Sequence, residues 1–295
     1  MSKEFKAGDS NKITRDYIDG LRIEMRHIDA VMPSTELKLY GETFRTPVMT
    51  AALSHLDSYY PEGTVKMAKG ALNAGAIVWT GMGDEAELES IIQTGVKTIK
   101  IIKPHSDNAI IFRKIEHAVQ SGAFAIGMDL DHSFNRKGEF DNVMGQEMTS
   151  KSLDEIKSFV KASKLPFIIK GVLSVTDALK CIDAGVQGIV VSHHHGIMDY
   201  ALPPLKVLPS IVKAVNKRIP IFVDCGISSG SDAFKALALG ADAVSAGRIL
   251  MDHLKKDDVQ GVTDKINSMT EELAGIMAKT SSQDISSIDS DIIWQ

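Results

Sequence analysis

Cysteine is scarce in this chain: Cys181 and Cys225 are the only two in 295 residues. Two thiols cannot build a disulfide framework, and they fit a reducing, cytoplasmic compartment. Long apolar runs are missing too, since nothing approaches the roughly 20 residues that cross a bilayer. The opening segment MSKEFKAGDSNK is charged and polar and lacks the apolar stretch of a signal peptide, so no export is expected. Positive charge is not in excess: the formal net charge is −5, and the short basic clusters are interspersed with acids. Nucleic acid and membrane surfaces are therefore not expected partners. No H-E-x-x-H occurs, and no H-x-H follows the first β-like run, so no metal is expected.

What is present reads as one α/β domain. Apolar residues make up 44% and charged residues 24%, an ordinary globular balance in a chain long enough for a large core. Eight β-branched runs recur at intervals that suit one strand, one helix and two loops: 47–53, 77–80, 98–103, 125–129, 166–170, 188–192, 220–224 and 243–246. Amphipathic segments such as SLDEIKSFVKAS (152–163) lie between them. Gly75, Gly122, Gly185 and Gly240 stand where helices should stop. A parallel (β/α)8 TIM barrel is the natural closure, with a doubly wound open sheet as the alternative on pattern alone. The barrel proper is expected over about 46–280 of a single domain spanning 1–295. Residues 12–30 predict a leading helix and 36–45 a hairpin turning at Gly41-Glu42. A last helix is expected over 260–280, and the Ser/Asp-rich tail is expected to dock loosely or stay mobile.

The reactive residues fall at strand ends. Lys170, His194, Asp224 and Arg248 each close a run or follow it closely, and a parallel barrel brings such positions to one face. His55, His105, His132, His193, His194 and His195, six of nine histidines, also follow strands one, three, four and six. They read as a polar, proton-trading or anion-holding pocket, as strand-end caps, or last as a metal site. Successive side chains of an extended run alternate faces, which weighs against metal at His193–His195.

Four segments carry a family resemblance: KGVL (170–173), SHHHG (192–196), DCGISSG (224–230) and ALALGADAVSAGR (236–248). They resemble the FMN-dependent α-hydroxy-acid oxidase and dehydrogenase family, which includes glycolate oxidase, lactate oxidase and L-lactate dehydrogenase. RTPVMTAALSHLDSYYPEG (45–63) and GMDLD (127–131) extend the likeness upstream. The resemblance implies FMN as cofactor, a small hydroxylated substrate, and a homo-oligomer of tetramer size or larger. Lys170 would face the flavin N1/O2 edge, and Gly226, Gly230 and Arg248 would hold the phosphate. Ala52, Thr80, Lys100, Ser192, Asp224, Ser228 and Gly247 would complete the cofactor site. His194 would be the base, Asp129 its carboxylate partner, and His193, His195, His132 and Arg136 would face the substrate.

The departures bear on substrate. Ile197 and Met198 stand where the family's carboxylate-gripping arginine is expected, Ser228 replaces the phosphate-loop arginine, and Lys100-Ile101-Ile102 replaces a Q-x-Y pattern. Neither Ile nor Met grips a carboxylate, so lactate and glycolate are expected to be poor substrates. Anion binding through histidines would then weaken as pH rises through about 6–7. The electron acceptor stays open among oxygen, a quinone and a redox protein. Two further readings share these residues: an FMN-dependent non-oxidative isomerase or dehydratase, and a cofactor-free Schiff-base lyase using Lys170.

Overall fold

Runs rich in valine and isoleucine, buried on both faces, form the expected strands. The computed structural model describes residues 6–295. Its central sheet contains β1 (Val48–Thr50), β2 (Val78–Thr80), β3 (Thr98–Ile102), β4 (Ala125–Asp129), β5 (Phe167–Val172), β6 (Gly188–Val191), β7 (Ile221–Val223) and β8 (Ala243–Ala246). They pair in parallel in the order β1-β8-β7-β6-β5-β4-β3-β2. β1 and β2 close the ring through Thr50 N–H donating to Ile77 O at 3.1 Å and a parallel bridge between Leu53 and Thr80. Each strand is followed by a helix: α2 (Gly63–Asn73), α3 (Glu85–Gln93), α4 (Asn108–Ser121), α5 (Leu153–Ser163), α6 (Val175–Asp183), α7 (Pro204–Val215), α8 (Gly230–Ala238) and α9 (Arg248–Lys279). The architecture is a (β/α)8 barrel preceded by α1 (Ser10–Gly20), not an open sheet.

Strand alternation divides the core into two layers. Met49, Trp79, Ile99, Ile101, Ile168, Val190 and Phe222 fill the barrel interior. Their neighbours Val48, Val78, Ile126, Ile169, Val191, Val223 and Val244 pack outward with helix residues. The hairpin Leu37–Leu39/Glu42–Phe44 adds Leu37, Leu39 and Phe44 to the interior cluster, and Tyr40 Oη donates to Gln187 O at 2.8 Å. These contacts plug the N-terminal mouth and leave the C-terminal mouth for chemistry.

Two expectations need correction. The hairpin turns at Tyr40-Gly41, both at positive φ (47° and 84°), the combination that matches strand twist in a two-residue turn. The leading helix stops at Gly20, after which Arg22–Ile23 pairs antiparallel with Ile293–Trp294. Of the two outcomes expected for the tail the structure shows docking, because Ile285, Ile288, Ile292 and Ile293 pack with Phe234, Leu273 and Met277. The last helix follows backbone breaks at Asp257 and Asp258 and ends at Lys279, close to the expected 260–280, and a separate helical stretch from Arg248 precedes it.

Helix starts follow the side chains that satisfy their free amides. Ser152 and Glu155 form a capping box on α5, and Ser229 accepts from Asp232 N on α8. Gly230 is glycine for packing: a Cβ there would lie 2.3 Å from Met269 O and 2.6 Å from Leu273 N, where α8 lies against α9. Gly230→Ala is expected to cost about 1–3 kcal/mol by overpacking. A lowered urea midpoint checks this, and an unchanged midpoint would mean the helices separate without strain.

Candidate active site

The C-terminal strand ends surround a cavity of about 510 Å³. Ala52, Leu53, Lys170, His194, Asp224 and Arg248 line it from the barrel, and Asn11, Thr14 and Arg15 line it from α1. The size lies within the range of small-molecule and cofactor sites.

Its floor is a buried charge network. Lys170 Nζ lies 3.1 Å from His194 Nδ1, 3.3 Å from Asp129 Oδ1 and 3.5 Å from Asp224 Oδ2. Lys103 Nζ donates to Asp129 Oδ2 at 2.7 Å. Burial alone raises a carboxyl pKa, yet the Lys170 and Lys103 ammonium groups hold Asp129 well below the ordinary carboxylate range. Burial likewise opposes the charge on Lys170, and Asp129 and Asp224 more than offset it, so its pKa is raised. Lys170 thus stays an ammonium, the form opposite to the free amine that a Schiff-base lyase requires.

The turn after β6 presents the histidines. His194 and His195 have φ of 45° and 56°, a left-handed conformation uncommon for non-glycine residues and typical of strained functional sites. Ser192 Oγ accepts from His194 N at 3.0 Å and steadies the turn. The structure places Asp131 against His194, with Oδ1 2.9 Å from Nδ1, whereas Asp129 stands 3.8 Å away and faces the two lysines. Gly171 makes this possible: it interrupts the β5 register at φ 93°, and a Cβ there would lie 2.6 Å from Asp131 Cγ. His132 Nε2 meets His194 Nε2 at 3.1 Å, and His132 Nδ1 meets Asp141 Oδ2 at 3.0 Å. Burial lowers the pKa of His132, His193 and His195.

The expected site residues divide into two groups. Lys170, Asp224, Gly226, Ser228, Gly247, Arg248, Ala52, His194 and His195 line the cavity. Asp129, Ser192 and Thr80 are buried strand-end residues outside its lining, and Lys100 is buried within β3, its Nζ donating to Gly81 O at 2.7 Å. His193 is buried, its Nε2 2.8 Å from Thr14 Oγ1. Arg136 lies outside the cavity, its side chain 66% exposed, donating to Gly196 O at 3.2 Å. Sequence reasoning missed Asn11, Thr14, Arg15, Lys103 and Asp131. Asp131 and Lys103 carried a usable signal, since both stand at or just past a strand end.

The anion end differs from expectation. Gly230 N–H donates to Glu272 at 2.7 Å and Ser228 N–H to Asp232 at 3.0 Å, so acids of this chain already satisfy the start of α8. Asp232 also binds Arg15 through both oxygens, at 2.8 and 3.0 Å. The start of α9 has no such cap: Gly247 makes no side-chain cap bond, and Arg248 pairs with no carboxylate among the described residues. A free helix N-terminus carrying an arginine suits a phosphate. The Thr80 hydroxyl is buried without a hydrogen-bond partner at the end of β2, outside the cavity lining. Apolar Ala51, Ala52 and Leu53, the buried ammonium and this anion end together fit FMN.

Comparison with known proteins agrees with that fit. A family model described as FMN-dependent dehydrogenase matches residues 3–152 and 136–295. An L-lactate oxidase of Lactobacillus jensenii is 30% identical over 279 residues, 84% of this chain and 68% of that protein. The human 2-hydroxyacid oxidase 2 is 26% identical over 329 residues, 96% of this chain and 94% of that protein. A solved mandelate oxidase with (S)-2-phenylpropionate is similar at TM-score 0.88 and 26% identity, over 97% of this chain and 89% of that chain. With the match spanning nearly its whole length, the chain belongs to the FMN-dependent dehydrogenase family.

Proposed function

We propose that this cavity binds FMN and oxidises a 2-hydroxy acid, with His194 taking the proton and Lys170 supplying fixed positive charge. The observation that carries the reading is the buried Lys170 ammonium 3.1 Å from His194, both lining one cavity. Bound FMN supplies a two-electron acceptor whose reduced ring gathers negative charge. Lys170 sets a preorganised cation for that charge, and Asp129 and Asp224 keep it in place. His194 is oriented by Asp131 and accepts the substrate proton as general base. Arg248 and the start of α9 hold the phosphate.

The rest of the reading concerns setting. The chain is one FMN-binding domain over 1–295, acting in the cytoplasm as a homo-oligomer. Free Cys181 and Cys225 support a reducing compartment, and the exposed apolar run of Met25, Ile28, Val31 and Met32 supports association. No helix among the described residues is long and apolar enough to cross a membrane. Relatives named as oxidases make dioxygen the first acceptor to test.

Histidine burial moves the expected pH window. With their pKa values lowered by burial, His132, His193 and His195 lose their charge on the acid side of the ordinary value of about 6.5. Affinity for a 2-oxo acid, the product class, is therefore expected to be flat from about pH 7 to 9 and to rise only below about pH 6.5. A tenfold decline between about pH 7 and 9 would show that a histidine still charged near neutrality holds the anion.

His194→Ala is expected to lower turnover about 10²–10⁴-fold while flavin absorption persists. Loss of flavin together with activity would assign His194 to cofactor binding instead. Arg248→Ala removes a charge-assisted contact of about 1.5–3 kcal/mol, so FMN affinity should fall by about one to two orders of magnitude. Riboflavin, which lacks the phosphate, should bind the variant and the parent equally. Equal loss of both ligands would place the phosphate away from Arg248.

A further inference from the structure

The loop after β4 brings a second imidazole to the proposed base. His132 Nε2 and His194 Nε2 stand 3.1 Å apart, an ordinary hydrogen-bond distance. The other nitrogen of each ring faces a carboxylate: Asp131 Oδ1 is 2.9 Å from His194 Nδ1, and Asp141 Oδ2 is 3.0 Å from His132 Nδ1. Lys170 Nζ also lies 3.1 Å from His194 Nδ1, but its hydrogens have acceptors in Asp129, Asp224 and Ser192. Among the described residues, the Asp131 carboxylate has no hydrogen-bond partner other than His194. Both rings therefore carry a hydrogen at Nδ1, directed at an acid. Two neutral imidazoles held in this way would set lone pair against lone pair at Nε2. One further proton between the two Nε2 atoms turns that repulsion into a hydrogen bond.

The surroundings favour that proton. Asp129, Asp131, Asp141 and Asp224 face the pair, against the ammonium groups of Lys103 and Lys170 and the rings of His193 and His195 on the same turn. Four carboxylates against two ammonium groups leave an excess of negative charge, which an imidazolium reduces. Burial and the nearby Lys103 hold the pKa of His132 below its ordinary value. His194 is therefore the ring that carries the proton, and His132 the ring that accepts the hydrogen bond.

We propose that His132 is a positioning residue of the reaction: with His194 it forms an imidazole pair that takes the substrate proton and holds it between the two Nε2 atoms. The hydroxyl O–H bond of the substrate breaks, and its proton goes to His194 Nε2. The Cα hydrogen leaves with the electron pair of the C–H bond to the two-electron acceptor, and the C–O bond becomes the carbonyl of a 2-oxo acid. His132 then accepts a hydrogen bond from the imidazolium. The side chains of His132 and Asp141, each 21% exposed, give the proton its way to solvent. In the resting enzyme the bridge must lose its proton before His194 can act, so the two rings titrate as one unit. This role rests on the reading of His194 as base, whereas the shared proton does not.

The test uses full-length, FMN-loaded protein with isotope-labelled histidine. In nitrogen NMR the Nε2 signals of His132 and His194 are expected to move together with pH, at one apparent pKa. His132→Ala and His132→Gln are then compared in single-turnover reduction of the flavin by a 2-hydroxy acid, with flavin absorption verifying that each variant folds. Both should slow reduction about tenfold and leave the half-saturating substrate concentration within about twofold. Both should also move the acid limb of the rate about one pH unit lower, because His194 alone holds its proton less tightly. Glutamine keeps the bulk of the ring but stores no proton, so rescue by His132→Gln would reveal packing and overturn the proposal. In a His194→Ala background, adding His132→Ala should cost less than about twofold more, since the second ring acts through the first. An additive loss there, or separate titration of the two rings in the wild type, overturns the proposal as well. Joint titration with full activity in His194→Ala would overturn the reading of His194 as base, and this role with it, while the shared proton stands.

Discussion

The ammonium of Lys170 is the group around which the barrel mouth is arranged. A buried charge without partners is expensive, and one with a single partner is seldom worth its desolvation. Here Asp129 approaches it from the neighbouring β4 and Asp224 from the end of β7, two strands away, and Lys103 takes the far oxygen of Asp129. The network spans β3 to β7, so removing any member leaves another charge buried and unmatched. The same arrangement keeps Lys170 positive through the whole physiological range, which a counter-charge for a flavin needs and an amine nucleophile does not. The electrostatics therefore separate two chemistries that the residue type alone leaves open.

The second constraint lies at the anion end. Both α8 and α9 begin at the cavity, but Asp232 and Glu272 satisfy the first turn of α8. Arg15 from α1 is tied to the same Asp232, which locks the leading helix onto the barrel. The phosphate-attracting field is left with α9 and Arg248. The glycines of the 226–230 loop divide accordingly: Gly226 takes a positive φ in the cavity wall, while Gly230 admits α9 at close range.

The fold was largely legible because parallel strands buried on both faces produce short apolar runs that few other structures require. Ala125–Asp129 and Ala243–Ala246 fell at the expected limits, and Lys170, His194 and Asp224 reached one cavity because strand ends in a barrel must converge. What stayed hidden depends on contacts between distant parts of the chain. Thr14 meets His193 across 179 positions, and Trp294 reaches Glu24 across 270. The tail read as loosely docked or mobile because its serines and aspartates outnumber its isoleucines, and what settles it is an apolar groove that only the folded barrel provides. The exchange of Asp129 for Asp131 beside His194 had a local cause, but it required knowing that Gly171 breaks the β5 register.

The turn at His194 and His195 links this geometry to proton handling. Two consecutive non-glycine residues in the left-handed region cost about 1–3 kcal/mol each, and they persist only where the surroundings hold them. The hydrogen bond of Ser192, the Thr14 contact to His193 and the Asp131 contact to His194 do this from three separate elements. A relaxed turn would aim the imidazole of His194 away from both Lys170 and the cavity. Strain, buried charge and the packing of α1 therefore act on the same side chain, which fixes where a proton can be accepted. Arg136, outside the cavity and 66% exposed, donates to Gly196 O at the end of the same turn.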